Sequence, residues 1–166
     1  PPPDGRMVYA ARLGDGVRQR ADPLYHTPRY RELQRRLARL KAEPLGGISQ
    51  LSEQRQDPSE GDGPTFRYVE ISSVSAETGE AFAVDTPRTE APSRARMVVQ
   101  DGNIVVSLTR PQRGSIALID ESLDGCIAST GFAVLCGIDE RRVQTSYLWA
   151  FLRTQAARLQ MLQRSS

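Results

Sequence analysis

Short apolar runs punctuated by Gly, Asp and Asn limit the folds open to this chain more than any other feature of its sequence. They read as strands at Phe66 to Ile71, Met97 to Val99, Ile104 to Leu108, Ser115 to Ile119, Cys126 to Ala128 and Phe132 to Leu135. Strands this short cannot bury a face singly, so about six of them in roughly seventy residues imply one compact antiparallel or mixed sheet. The Asp101-Gly102-Asn103 turn between Met97–Val99 and Ile104–Leu108 predicts that those two runs pair as a hairpin.

Helical signals flank the β-rich stretch. Thr27 is placed to cap a helix, Pro28 suits its first position, and Tyr30, Leu33, Leu37 and Leu40 form one apolar stripe. Towards the other end, Tyr147, Leu148, Phe151, Leu152, Leu159 and Leu162 recur at helical spacing after a capping Thr145 or Ser146. The expected fold class is therefore α+β: a compact twisted sheet of short, mostly antiparallel strands with an N-terminal and a C-terminal helix. At 166 residues, 39% of them hydrophobic, the chain suits a single domain. Residues 1–24 read as an extended arm containing at most a short strand at Met7 to Tyr9. The domain then spans 25–166, with a first helix at 25–43, a β-rich core at 66–136 and a C-terminal helix at 145–164. Ser52 to Pro64 reads as a surface loop. Ser72 to Arg94 reads as a polar excursion longer than a connection requires, and such loops are commonly functional.

Several chemistries find no support. There is no Gly-rich phosphate loop, nucleophile elbow or metal-ligand helix. Cys126 and Cys136 lack the spacing of a disulfide framework or a metal site and read as core residues. His26 has no acidic neighbour to orient it, which ranks a cysteine hydrolase last. Asp120-Glu121 and Asp139-Glu140 are adjacent turn residues rather than a convergent acid pair, and Ser129-Thr130-Gly131 reads as punctuation between strands. No apolar run is long enough for a membrane span, and the Pro-Pro-Pro start is unlike a signal peptide, so a soluble, cytoplasmic protein is expected.

Charge is more informative. Of 22 basic residues only Lys41 is a lysine. Such a bias arises from genomic base composition, but arginine's planar fork also suits phosphates and guanine edges. Residues 61–140 carry 6 basic and 12 acidic side chains, whereas 141–166 carry 5 basic and no acidic ones. Any nucleic-acid contact must then use a local patch. The polar loops offer one in Arg88, Ser93, Arg94, Arg96, Thr109, Arg110, Gln112 and Arg113. Arginine reads guanine, glutamine reads adenine, and hydroxyls reach phosphates.

The order of the motifs carries a family resemblance. Tyr68-Val69-Glu70-Ile71-Ser72-Ser73-Val74 comes first, followed by Pro92-Ser93-Arg94-Ala95-Arg96-Met97-Val98-Val99 and Gly102-Asn103-Ile104-Val105-Val106-Ser107. Next stand Arg110-Pro111, Gly114-Ser115-Ile116-Ala117, the run from Gly125 to Leu135, and Tyr147-Leu148-Trp149-Ala150-Phe151-Leu152. This series resembles the target-recognition domain of type I restriction-modification specificity subunits, and Asp22 to Tyr30 resembles the segment that opens such a half-subunit. The resemblance implies a noncatalytic reader of double-stranded DNA that recognises one half of a split target. Partner subunits would bind S-adenosylmethionine, methylate adenine, translocate and cut, and the chain itself would need no cofactor or metal. A second recognition domain and most of the spacer helix are missing after Ser166, which implies a piece of a longer subunit or a half-length subunit that homodimerises through its helices. In this family base-reading residues vary with the target, so the eight polar residues above rest on their chemistry alone. The competing reading is a noncatalytic protein-interaction module whose leucine stripes dock partner helices.

Overall fold

The computed structural model describes residues 27–110 and 113–165. The arm, Met7 to Tyr9, His26 and Gln112 lie outside the described residues. Within the described residues three helices and eight strands follow in the order α1 (Pro28–Arg39), β1 (Gln50–Leu51), β2 (Thr65–Val69), β3 (Val84–Pro87), β4 (Ala95–Val98), β5 (Ile104–Ser107), β6 (Ile116–Leu118), β7 (Ile127–Ser129), β8 (Phe132–Cys136), α2 (Thr145–Leu152) and α3 (Gln155–Ser165). The mixed helix-and-sheet class is as expected, with the strands divided between two four-stranded sheets. One has the order β1-β8-β5-β6 and the other β3-β2-β7-β4. Every pairing is antiparallel except β2 with β7.

β5 organises the layers. All four of its residues are buried, and strand alternation sends them to opposite faces. Val105 joins Val69, Met97, Phe132 and Val134 in the core, which includes residues of both sheets. Ile104 and Val106 join Ile116, Leu135 and the α2 residues Leu148 and Leu152. The first sheet is thus covered on both faces, by the second sheet and by α2. A smaller cluster of Phe66, Tyr68, Ala95 and Ile127 belongs to the second sheet.

Three expectations are corrected. Met97–Val99 and Ile104–Leu108 do not form a hairpin. β5 takes β6 on one edge and β8 on the other, so no edge is left for β4, which pairs with β7 instead. The Asp101-Gly102-Asn103 turn forms, with Gly102 at φ 78°, but it carries the chain between sheets. Part of the polar excursion is strand: β3 pairs with β2 from Val84 opposite Tyr68 to Pro87 opposite Thr65. Pro87 is tolerated because β3 is an edge strand. Finally, the C-terminal helix is two helices. The Thr154 hydroxyl accepts from the Ala157 amide at 3.3 Å and donates to the Phe151 carbonyl at 2.7 Å, so it caps α3 and ends α2. Within α2 itself the expected stripe splits, with Leu148 and Leu152 buried but Tyr147 66% and Phe151 38% exposed.

Of the expected 25–43 helix, residues 25 and 26 lie outside the described residues, and α1 ends at Arg39. Pro28 does occupy its first turn, but Thr27 at the cap position makes no side-chain capping bond. Tyr30 is buried, and Gln34 Nε2 donates to Gln163 Oε1 at 3.2 Å, tying α1 to α3.

Because Ile104 is fully buried in the central strand, Ile104→Ala is expected to lower the unfolding free energy by about 2–5 kcal/mol with an unchanged denaturant slope. Urea titration followed by circular dichroism checks this.

Candidate functional site

The registers bring one end of each sheet together. Ser107 at the end of β5 stands opposite Phe132 at the start of β8. In the other sheet Ala95 opening β4 faces Ser129 closing β7, and Val69 closing β2 lies beside Ala128. The segments leaving these strand ends enclose a groove of about 620 Å³. One wall is Glu70, Ile71, Ser72 and Val74, continuing from Tyr68. The other is Thr109, Arg110, Arg113 and Ser115, with Arg94 and Ser129 completing the lining. Where the walls approach, the Leu108 amide donates to the Gly131 carbonyl at 2.8 Å. A Cβ on Gly131 would lie 2.6 Å from Ile71 Cδ1, so a side chain there would displace the end of Ile71.

Four of the eight residues singled out from the sequence meet in this groove: Arg94, Thr109, Arg110 and Arg113. Arg110 holds a left-handed backbone at φ 52°, a conformation costly for a residue with a side chain and concentrated at functional loops. Ser93 is exposed in the turn before β4 and is not part of the lining. Arg88 and Arg96 serve the fold. Arg88 Nε donates to the carbonyls of Gly63 at 2.9 Å and Asp62 at 3.1 Å, and its other nitrogens donate to Asp62 and Pro58. The same guanidinium lies 6.0 Å from the Phe66 ring centroid. Arg96 pairs with Asp57 at 3.1 Å and donates to the Ala95 carbonyl at 2.7 Å. Hydrogen bonds from the Ser59 amide and hydroxyl, with a smaller contribution from Arg96, hold the Asp57 carboxyl below the ordinary Asp range.

The division among cations is sharp. Of the six arginines in residues 61–140, Arg88 and Arg96 are engaged as described and Arg67 donates to the Ser122 carbonyl at 2.5 Å. The remaining three are Arg94, Arg110 and Arg113. Among the described residues their guanidinium groups have no hydrogen-bond or ion-pair partner, and all three line the groove. The groove also contains Glu70, Ser72, Tyr68 and Ser129, which sequence reasoning did not select as site residues. They stand within the quoted motifs, and the available signal was position: Glu70 follows directly on the buried end of a strand.

Metal and thiol chemistry gain nothing from the geometry. Among the described residues no three His, Cys, Asp or Glu side chains gather as a metal site. Cys126 is buried, and burial pushes its thiol above the ordinary range. No described helix is long and apolar enough to cross a membrane.

Comparison with solved structures adds to this geometry. The HsdS subunit from Thermoanaerobacter tengcongensis is 33% identical with a TM-score of 0.58, over 63% of this chain and 27% of that one. A chain from a structure of complex assembly and conformational transition in the type I R-M system is 32% identical with a TM-score of 0.61, over 68% of this chain and 28% of that one. The resemblance to type I specificity subunits holds. The specificity-subunit-like chain spans little more than a quarter of the length of either structure. No protein-family model and no curated protein matches the sequence.

A thiolate is needed for rapid alkylation, and Cys126 is held as the thiol. Iodoacetamide at neutral pH is expected to label Cys126 in the native chain much more slowly than in urea. Mass spectrometry of the peptides checks this, and labelling as fast as in the unfolded chain would contradict the burial described.

Proposed function

We propose that this chain is a noncatalytic DNA-recognition module of a type I restriction-modification system, reading one half of a split double-stranded target. The observation that carries the reading is the set of three guanidinium groups, all lining one groove, that have no hydrogen-bond or ion-pair partner among the described residues. Arginine forks fit the O6 and N7 atoms of guanine, while the Thr109 and Ser72 hydroxyls suit phosphate oxygens or base edges. Glu70 is an acceptor for the cytosine amino group. The likeness to HsdS supports the same reading.

In this reading methylation and cleavage belong to partner subunits. Adenine methyltransferase subunits would supply S-adenosylmethionine, and a restriction subunit would translocate and cut. The helical elements are the natural docking surface, since α1 and α3 pack together and contribute no residue to the groove lining. A half-length subunit would gain its second half-site by homodimerisation, with two-fold symmetry mirrored in the target. The work of such a subunit is cytoplasmic.

The experiment is a binding selection from randomised duplexes, with methyltransferase subunits present, followed by titration of the selected and a scrambled duplex. Arg110→Ala or Arg113→Ala is expected to cost about 1–3 kcal/mol on the selected duplex and little on the scrambled one. Arg88→Ala, whose guanidinium is engaged by carbonyls, is expected to leave the ratio between the two unchanged. Failure to select any duplex would overturn the reading and favour the protein-interaction module.

A further inference from the structure

Two arginines of the helical pair reach the loops on opposite sides of the groove. Arg153 lies in the joint between α2 and α3, with its guanidinium carbon 4.8 Å from the Trp149 ring centroid. Its Nη2 donates to the Glu77 carbonyl at 2.5 Å. Together Arg153 and Trp149 fill the space beside Gly79, where an added Cβ would come within 2.7 Å of each. Gly79 belongs to the turn that continues the first wall: its amide donates to the Ser75 carbonyl at 2.8 Å, and Val74 of the groove bridges Ala81 beyond the turn. Trp149 is itself anchored, donating Nε1 to the Ile116 carbonyl on β6 at 3.3 Å.

Arg158 performs the equivalent role on the second wall. Its guanidinium covers Gly114, which lies between the groove residues Arg113 and Ser115, and an added Cβ there would come within 2.5 Å of it. Both covered glycines hold left-handed backbones, φ 78° at Gly79 and φ 83° at Gly114. A side chain at either would be strained, and at Gly79 it would also meet the Trp149 ring. Ion pairing does not explain the arrangement, because among the described residues neither Arg153 nor Arg158 has a carboxylate within ion-pair distance. The Nε of each arginine is buried without a hydrogen-bond partner. Arg153 is held by the Glu77 carbonyl and the Trp149 ring, and Arg158 by the fit of its flat guanidinium against the Gly114 backbone, a fit that lysine's compact ammonium does not reproduce.

We propose that Arg153 and Arg158 are positioning residues that set the separation of the two groove walls from the helical pair, and so govern which duplexes the groove accepts. They touch the loops rather than the bases. The proposal rests on the reading of the groove as a DNA reader, deepening it with a link between the helices and discrimination.

The test uses the full chain with methyltransferase subunits, and compares Arg153→Ala, Arg158→Ala, the milder Arg158→Gln, and Arg158→Lys. Hydrogen exchange of the free chain gives a readout independent of DNA. Removing Arg153 is expected to speed exchange at 75–80, and removing Arg158 to speed it at 113–116, with the sheets unchanged. The ratio of selected to scrambled affinity is expected to fall roughly tenfold in both alanine variants, within the range of one lost base contact. Affinity for the scrambled duplex and its salt slope should stay unchanged, and Arg158→Lys should fail to restore the ratio. An equal loss on both duplexes with a shallower salt slope would make Arg158 a phosphate contact and overturn the proposal. Unchanged exchange and an unchanged ratio would also overturn it. If no duplex is selected by the unaltered chain, the DNA reading fails on its own, while the exchange data still decide whether these arginines hold the walls. Should Arg158→Ala not fold, Arg158→Gln carries the same comparisons.

Discussion

β5 is buried on both faces and paired on both edges, and the remaining architecture follows from that constraint. With its edges occupied by β6 and β8, the neighbouring β4 must find its partner in a second sheet. With Ile104 and Val106 facing the α2 side and Val105 facing the core shared with the second sheet, three layers are required. Strand directions then bring the end of β5, the start of β8, the ends of β2 and β7 and the start of β4 to one side of the molecule. The groove is made where these ends meet. Its walls are loops, which vary freely, carried on strands that cannot shift register without exposing their buried faces.

Electrostatics completes the argument from packing to function. The region 61–140 has twice as many acidic as basic residues, yet among the described residues three arginines there share one groove with a single carboxylate, Glu70, and form no ion pair with it. Three cations against one carboxylate leave a net positive groove, and a polyanion relieves the repulsion among them. An acidic surround opposes indiscriminate attraction to DNA, so binding of this kind depends on what fits the groove rather than on a general basic surface.

Much of this was legible from the residues alone. Alternation and turn punctuation located six of the eight strands, Pro28 located the start of α1, and residue chemistry selected Arg94, Thr109, Arg110 and Arg113. The false hairpin had a physical cause: Asp101-Gly102-Asn103 makes the same tight turn whether the chain returns to its neighbour or crosses to another sheet, and only the occupancy of β5's edges decides. β3 was hidden because Asp85 and Pro87 are poor strand residues except at an edge. Thr154 resembled an ordinary helix residue because its neighbours keep helical spacing on both sides. Arg88 and Arg96 were chosen for the same chemistry as the groove arginines, and what separates them is a set of distant carbonyls and one carboxylate brought near by folding.

The central claim is that partner-free guanidinium groups meet base edges. Methylation interference on the selected duplex, in which guanine N7 is blocked before binding, tests it most directly. Loss of binding at one or more guanines within a single half-site is the predicted result, because a methyl group on N7 removes the acceptor an arginine fork requires. Interference by phosphate ethylation alone, with every methylated guanine tolerated, would show that the groove grips the backbone without reading sequence.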